Sequence, residues 1–223
     1  FAGLGLSGEA TDETFPSADY ALNVRTVTEG LEHPWVLAFL PDGQMRVTEP
    51  EGAVRLVGKD RTKAPPLAGV PEVDNSGQGG MLDVALDPDF STNDLIYLSY
   101  AEPGQGGSGT AVARAKLDVS GNRLTQLTVV FQQLPKTRSG QHYGSRLVFG
   151  RDGNLFITIG ERGERALAQD TTVNRGQVIR IRADGSVPED NPFVGKSGYR
   201  PEIWSYGHRN PQGAALHPGT GAL

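Results

Sequence analysis

Four stretches of this chain overlay one another, and that repetition restricts the fold more than any other feature of the sequence. WVLAFLPDGQMRVT from Trp35, MLDVALDPDF…LIYLSY from Met81, SRLVFGRDGNLFIT from Ser145 and QGAALHPGTGAL from Gln212 each read as a strand, a Pro-Asp-Gly-like turn and a second strand. The turns start at Pro41, Pro88, Arg151 and Pro218, at uneven intervals. An uneven repeat of strand meanders is expected of propeller blades joined by loops of variable length. The reason is burial. One four-stranded sheet leaves both faces wet, whereas a ring of sheets covers each face with a neighbour. Further strands are expected at residues 22–27, 54–57, 110–117, 127–131, 178–181 and 214–216, and residues 202–206 read as an apolar run leading into the glycine-flanked loop at 207–213. Loops are expected through Pro65 and Pro66, at 104–109 and at 188–198, and a turn or two of helix at 166–173. The chain therefore reads as all-β: an N-terminal tail at 1–21, then about three and a half blades at 22–223. A ring cannot close on that number, so the natural protein is expected to continue past Leu223.

Composition agrees. The 30 Gly and 15 Pro make up about a fifth of the 223 residues, well above average usage, so the chain turns often. Charged residues of both signs amount to 21% and the net charge is −5, with no block of Lys and Arg to track phosphates. That argues against a nucleic-acid surface. No apolar run reaches the roughly 20 residues that span a bilayer. Cysteine is absent, which removes disulfides, thiolate nucleophiles and Cys-ligated zinc.

Chemistry is expected where the hairpin at 140–161 returns on itself. Asp152-Gly153-Asn154 supplies the tight turn, and LFITI from Leu155 is strongly β-prone. Folding back brings Glu161 towards His142. A carboxylate beside an imidazole fixes its tautomer and stabilises the imidazolium, which is what a general base needs. In a propeller, the loops that lead into each innermost strand gather at one mouth. Three of the four such loops place polar residues between glycines: Gln78; Gln141 and His142; His208, Arg209, Asn210 and Gln212. Those residues are either a pocket wall or a solvated rim. His33, preceding Pro34, is expected to be extended. His208 and His217 read as loop-stabilising residues. Asp184, Glu189 and Asp190 read as a solvated hairpin tip. The GxGxxG match at Gly104 leads into a strand rather than a helix and is not a nucleotide loop.

SGQGGMLDVALDPDF, HYGSRLVFGRDGNLFITIGE and YGHRNPQG resemble the quinoprotein aldose sugar dehydrogenases, relatives of soluble glucose dehydrogenase and sorbosone dehydrogenase. The likeness runs over nearly everything after residue 22. It implies a six-bladed β-propeller that holds pyrroloquinoline quinone (PQQ) over its axis, with calcium polarising it. His142 resembles the base that takes the proton of an aldose's anomeric hydroxyl, and Glu161 its acidic partner. Arg209 resembles the arginine that offsets charge growing on the quinone oxygen. Asn210 and Gln212 match cofactor contacts, and Gln78 a substrate contact. Gln141 stands where the glucose-specific branch has an acid, which favours a broader aldose range. The calcium loop would lie beyond Leu223, so no metal ligand is expected here. The resemblance also implies a periplasmic or secreted bacterial protein and an electron acceptor that the sequence leaves unknown. Competing readings are a calcium-dependent lactonase-type hydrolase, which would need an axial Asn/Asp/Glu cage, and a binding propeller without chemistry.

Overall fold

The computed structural model describes residues 12–223. Strands β1 (Asp12–Pro16) and β2 (Ala21–Arg25) form an exposed antiparallel hairpin, so part of the stretch read as a tail is ordered structure. Three four-stranded antiparallel sheets follow, each a meander in chain order. Blade 1 contains β3 (Leu37–Phe39), β4 (Met45–Glu49), β5 (Ala53–Val57) and β6 (Lys63–Pro66). Blade 2 contains β7 (Met81–Leu86), β8 (Leu95–Gly104), β9 (Gly107–Asp118) and β10 (Arg123–Gln132), with one helical turn, α1 (Phe90–Asn93), after β7. Blade 3 contains β11 (Gly144–Phe149), β12 (Leu155–Ile159), β13 (Gln177–Ile181) and β14 (Ile203–Tyr206). A 3₁₀ turn at Arg165–Gln169 lies between β12 and β13.

Blades stack because strand alternation gives the middle strands of blades 2 and 3 two buried faces. On β8, Ile96, Leu98 and Tyr100 join blade 1 residues such as Leu40, Val54 and Leu67 in one buried cluster. The intervening Tyr97 faces the other way, into a second cluster with Leu147, Leu155, Ile157, Ile159 and Ile179 of blade 3. Strands β12 and β13 are buried at every position. Each such Leu, Ile or Val taken out of water contributes about 1.5–3 kcal/mol, so inter-blade burial dominates the stability.

A repeated polar device sets the angle between blades. Thr48, Ser99 and Thr158 occupy equivalent places on the second strands β4, β8 and β12. The hydroxyl of each accepts a backbone N–H from its own blade: Val36 at 3.3 Å, Asp83 at 2.9 Å and Arg146 at 2.9 Å. The same hydroxyl donates to a carbonyl of the next repeat: Leu82 at 2.6 Å, Ser145 at 2.8 Å and Pro211 at 2.6 Å. Pro211 thus takes the place in the fourth repeat that Leu82 and Ser145 take in theirs.

Four local expectations change. Pro65 and Pro66 belong to β6, an outermost strand, where a missing N–H costs nothing on the open side. The glycine-rich 104–109 segment is a tight hairpin in which Gly104 pairs with Gly107, rather than a flexible loop. Residues 214–216 form no ladder with any described residue, and the turn after them closes on itself through His217 and Ala222. His33 has φ of 49° rather than an extended backbone; its ring meets Glu51 at 3.3 Å while Glu49 takes the Glu32 N–H.

Candidate active site

His142 lies in the loop that leads into β11, and Glu161 follows the end of β12. The hairpin joins them: Nδ1 of His142 is 2.7 Å from Oε2 of Glu161, with both side chains almost fully buried. A carboxylate only accepts, so Nδ1 carries the proton and donates it. That leaves Nε2 as the basic nitrogen towards the cavity that His142 lines. Oε2 of Glu161 also accepts the N–H of Gly163 at 2.6 Å, which fixes the carboxylate in turn. The approach of the strands is close enough to require glycine: a Cβ at Gly160 would fall 1.9 Å from the carbonyl oxygen of His142.

The cavity measures about 780 Å³ and is open on one side. Gln141, His142, Glu161, Arg165, His208 and Arg209 line it together with Gln169 and small residues. The arginines face solvent, whereas the one buried carboxylate is already engaged by His142, so the wall presents positive charge. Among the described residues the Arg209 guanidinium has no hydrogen-bond or ion-pair partner, while its backbone carbonyl accepts the Glu161 N–H at 2.9 Å. The strand end that carries the acid therefore also places the arginine. His208 donates or accepts with Ser205 at 2.8 Å, in keeping with a loop-stabilising residue.

Gln78, Asn210 and Gln212 sit around the cavity rather than in its wall. Oε1 of Gln78 accepts the His142 N–H at 2.9 Å, and the Gln78 N–H donates to the Gly140 carbonyl at 2.7 Å. Oδ1 of Asn210 accepts the Gly144 N–H at 2.9 Å. Both spend their oxygens on the histidine loop and keep their NH₂ groups for other partners. Gln212 is exposed; its carbonyl accepts from Nε of Arg146 at 3.3 Å. The lead-in loop of blade 1 does not reach this cavity.

Two buried groups escaped the sequence reading. Arg162 is fully buried, and its guanidinium donates to the carbonyls of Gln141 at 2.9 Å, Ser108 at 2.8 Å and Ser139. Burial pulls it below the ordinary arginine range, and nearby Arg175 adds to this against the pull of Tyr143, Asp74 and Glu164. Asp83 joins blades 2 and 3 by accepting the Leu147 N–H at 2.7 Å and Nη1 of Arg146 at 3.2 Å. Burial pushes its carboxyl up from the ordinary aspartate range despite those donors. The only signal for either was a charged residue at the end of, or inside, an apolar run. Among the described residues no three His, Cys, Asp or Glu are grouped to hold a metal ion. Asp190 is instead paired with Arg180 at 2.9 Å, and Asp184 caps its own turn through Ser186.

Successive four-stranded blades with a histidine–carboxylate pair and an unpaired arginine at one mouth define a β-propeller built around a basic cavity. The chain belongs to the glucose/sorbosone dehydrogenase family, whose model matches residues 31–223. It is 46% identical to the aldose sugar dehydrogenase YliI of Escherichia coli over 93% of this chain and 56% of that protein. The apo-form structure of the soluble E. coli aldose sugar dehydrogenase superimposes with a TM-score of 0.82 at 47% identity, over 84% of this chain and 55% of that one. The PQQ-bound aldose sugar dehydrogenase of Streptomyces coelicolor does so with a TM-score of 0.73 at 34% identity, over 84% and 54%. The chain thus spans about half the length of the relatives it matches.

Proposed function

We propose that this chain carries the acid–base half of a quinoprotein site that oxidises the anomeric hydroxyl of aldose sugars to the lactone. The observation that carries the reading is the 2.7 Å contact between Nδ1 of His142 and Glu161, with Nε2 left to the cavity that Arg209 also lines. Family membership and the aldose sugar dehydrogenase relatives support it.

The cavity volume falls within the range of small-molecule sites, and its basic wall suits an anionic quinone. When bound, PQQ supplies a two-electron acceptor for the hydride leaving the sugar's C1. Nε2 of His142 takes the proton of the C1 hydroxyl as the C=O bond of the lactone forms. Glu161 stabilises the resulting imidazolium and holds the ring in the productive tautomer. Arg209 presents a fixed positive charge to the negative charge that builds up across the cavity, a form of oxyanion stabilisation. The NH₂ groups of Gln78 and Asn210 are available to a sugar hydroxyl and to the quinone respectively, and we assign Gln212 to the same cofactor side. The described residues offer no calcium cage, so no step is assigned to calcium. By the same resemblance we place the protein in the bacterial periplasm or outside the cell.

The test uses the full-length protein with PQQ and calcium added. An aldose should reduce the bound quinone, seen as a change in its absorbance, and H142A should retain cofactor yet lose most turnover. Turnover of H142A at the parent rate would overturn the assignment of the base.

A further inference from the structure

We propose that Arg162 is a positioning residue for the proposed reaction: its guanidinium pins the backbone just before His142 and the ring of the residue just after it, and so fixes the angle at which the imidazole meets the substrate. The inference rests on the reading of His142 as base, and it concerns a residue that touches neither sugar nor quinone.

A fully buried arginine normally faces a carboxylate. Arg162 forms no ion pair with any described residue; it donates to three backbone carbonyls instead. Two of them, Ser139 and Gln141, belong to the loop that ends in His142, and Gln141 is the residue immediately before it. The third, Ser108, lies in the β8–β9 hairpin of blade 2, which ties the loop to a rigid sheet. On the other side of His142, the ring of Tyr143 lies under the guanidinium, with Cζ 3.6 Å from its centroid. Tyr143 is itself fixed, because its hydroxyl meets Ser108 Oγ at 2.7 Å and its carbonyl accepts from Thr110 at 2.6 Å. One planar group therefore holds residues 139, 141 and 143, while the neighbouring side chain, Glu161, holds the ring of 142.

Backbone geometry shows why such a hold is needed. His142 and Arg162 have φ of 57° and 60°, a left-handed region that non-glycine residues avoid unless their surroundings impose it. Released from the clamp, the 139–143 loop relaxes and Nε2 swings away from its line of approach. Lysine cannot substitute, since its ammonium is a point charge on a flexible stem and lacks the planar fork that reaches three carbonyls at once.

The experiment compares R162K and R162Q with the parent in full-length, quinone-loaded protein, with the turnover normalised to bound cofactor. A displacement of about 1 Å at a reacting group costs up to about 100-fold in rate. R162K should lose about 10-fold and R162Q about 100-fold in kcat, with KM changed by less than about twofold. The primary isotope effect with a C1-deuterated aldose should rise, because proton removal coupled to hydride loss becomes more rate-limiting. If R162Q does not fold, R162K and Y143L, which removes the stacked ring, are judged by the same criteria. Parent kcat in these variants overturns the proposal. So does a loss of kcat with an unchanged isotope effect, since a purely structural role would only lower the competent fraction. H142A measured alongside separates the two ideas. If it turns over normally the base reading has failed; if it is inactive while the Arg162 variants are normal, the positioning inference alone has failed.

Discussion

Replacing Glu161 by glutamine separates charge from geometry at the site. Oε2 of Glu161 accepts two hydrogen bonds, from His142 Nδ1 at 2.7 Å and from Gly163 N at 2.6 Å. A single amide oxygen in the same place can accept both. The Gly163 N–H also opposes a flip, because it would then face an NH₂ group. E161Q therefore keeps the imidazole where it is and removes only the negative charge, in a side chain that is 4% exposed and hardly screened. A hydrogen bond to a charged group contributes about 1.5–3 kcal/mol against about 1 for a neutral one. The imidazolium exists only as the proton is taken, so the difference of about 0.5–2 kcal/mol falls on the barrier. At 1.36 kcal/mol per decade that is a loss of about 2–30-fold in kcat. E161A removes the acceptor altogether, leaves the Nδ1–H and the Gly163 N–H unpaired and frees the ring to change tautomer. The expected loss is about 100–1000-fold. Rapid-mixing measurement of quinone reduction by an aldose, with enzyme pre-loaded and sugar saturating, reads the step directly. E161Q reacting at the parent rate, or E161A reacting no more slowly than E161Q, would refute the argument that the carboxylate acts through its charge on His142.

Three further outcomes are expected. T158V removes one acceptor and one donor from the junction between blade 3 and the next repeat, at a cost of about 2–3 kcal/mol, so Tm should fall by about 4–10 °C in thermal unfolding; an unchanged Tm would show that the hydroxyl bridge contributes nothing. R209A should lower kcat about 100-fold while leaving Tm within about 1 °C, because only the backbone of Arg209 is bonded into the fold; loss of folding instead would contradict that division. Asp152, although burial works the other way, is held at a pKa of about 2 by Arg180, against 3.8 for an unperturbed aspartate. Its stabilisation is therefore present above about pH 4 and lost as pH falls towards 2, and it is modest because the side chain is 48% exposed. D152N should flatten the fall in urea midpoint over that interval, and a slope identical to the parent's would count against the pair.

The strands and their turns were legible because each is decided locally, by β-branched and aromatic runs bounded by Asp-Gly or Pro-Asp pairs. The pairing of His142 with Glu161 was legible for the same reason, since a hairpin of known turn fixes which residues meet across it. What was not legible depends on the neighbouring blade. The bridges made by Thr48, Ser99 and Thr158 need the next repeat's carbonyl, and no periodicity within one strand reports it. Arg162 follows a run of seven buried residues and looks like the start of a solvated turn, yet its partners lie on the loop before β11 and at the start of β9. Glycine misled in the opposite direction. Composition marks 104–109 as flexible, but the β8–β9 ladder continues to Gly107 and a bridge from Ser108 to Thr137 holds the tip.

The placement of the amides explains how a loop with a strained histidine is held without burying the site. The N–H of His142 is taken by Gln78 from the lead-in loop of blade 2. The N–H of Gly144, two residues on, is taken by Asn210 from the lead-in loop of the following repeat. Each amide spends its oxygen inward, on the backbone, and that orientation turns its NH₂ outward. Charged residues at either position would hold the loop or meet a ligand, but an amide does both, because it carries an acceptor and a donor on one planar group. The three lead-in loops are thereby stitched in series, and the Glu161 N–H to Arg209 carbonyl bond closes the arc. The backbone of His142, Glu161 and Arg209 is held by bonds between repeats, which leaves the Arg209 guanidinium and Nε2 of His142 free for chemistry.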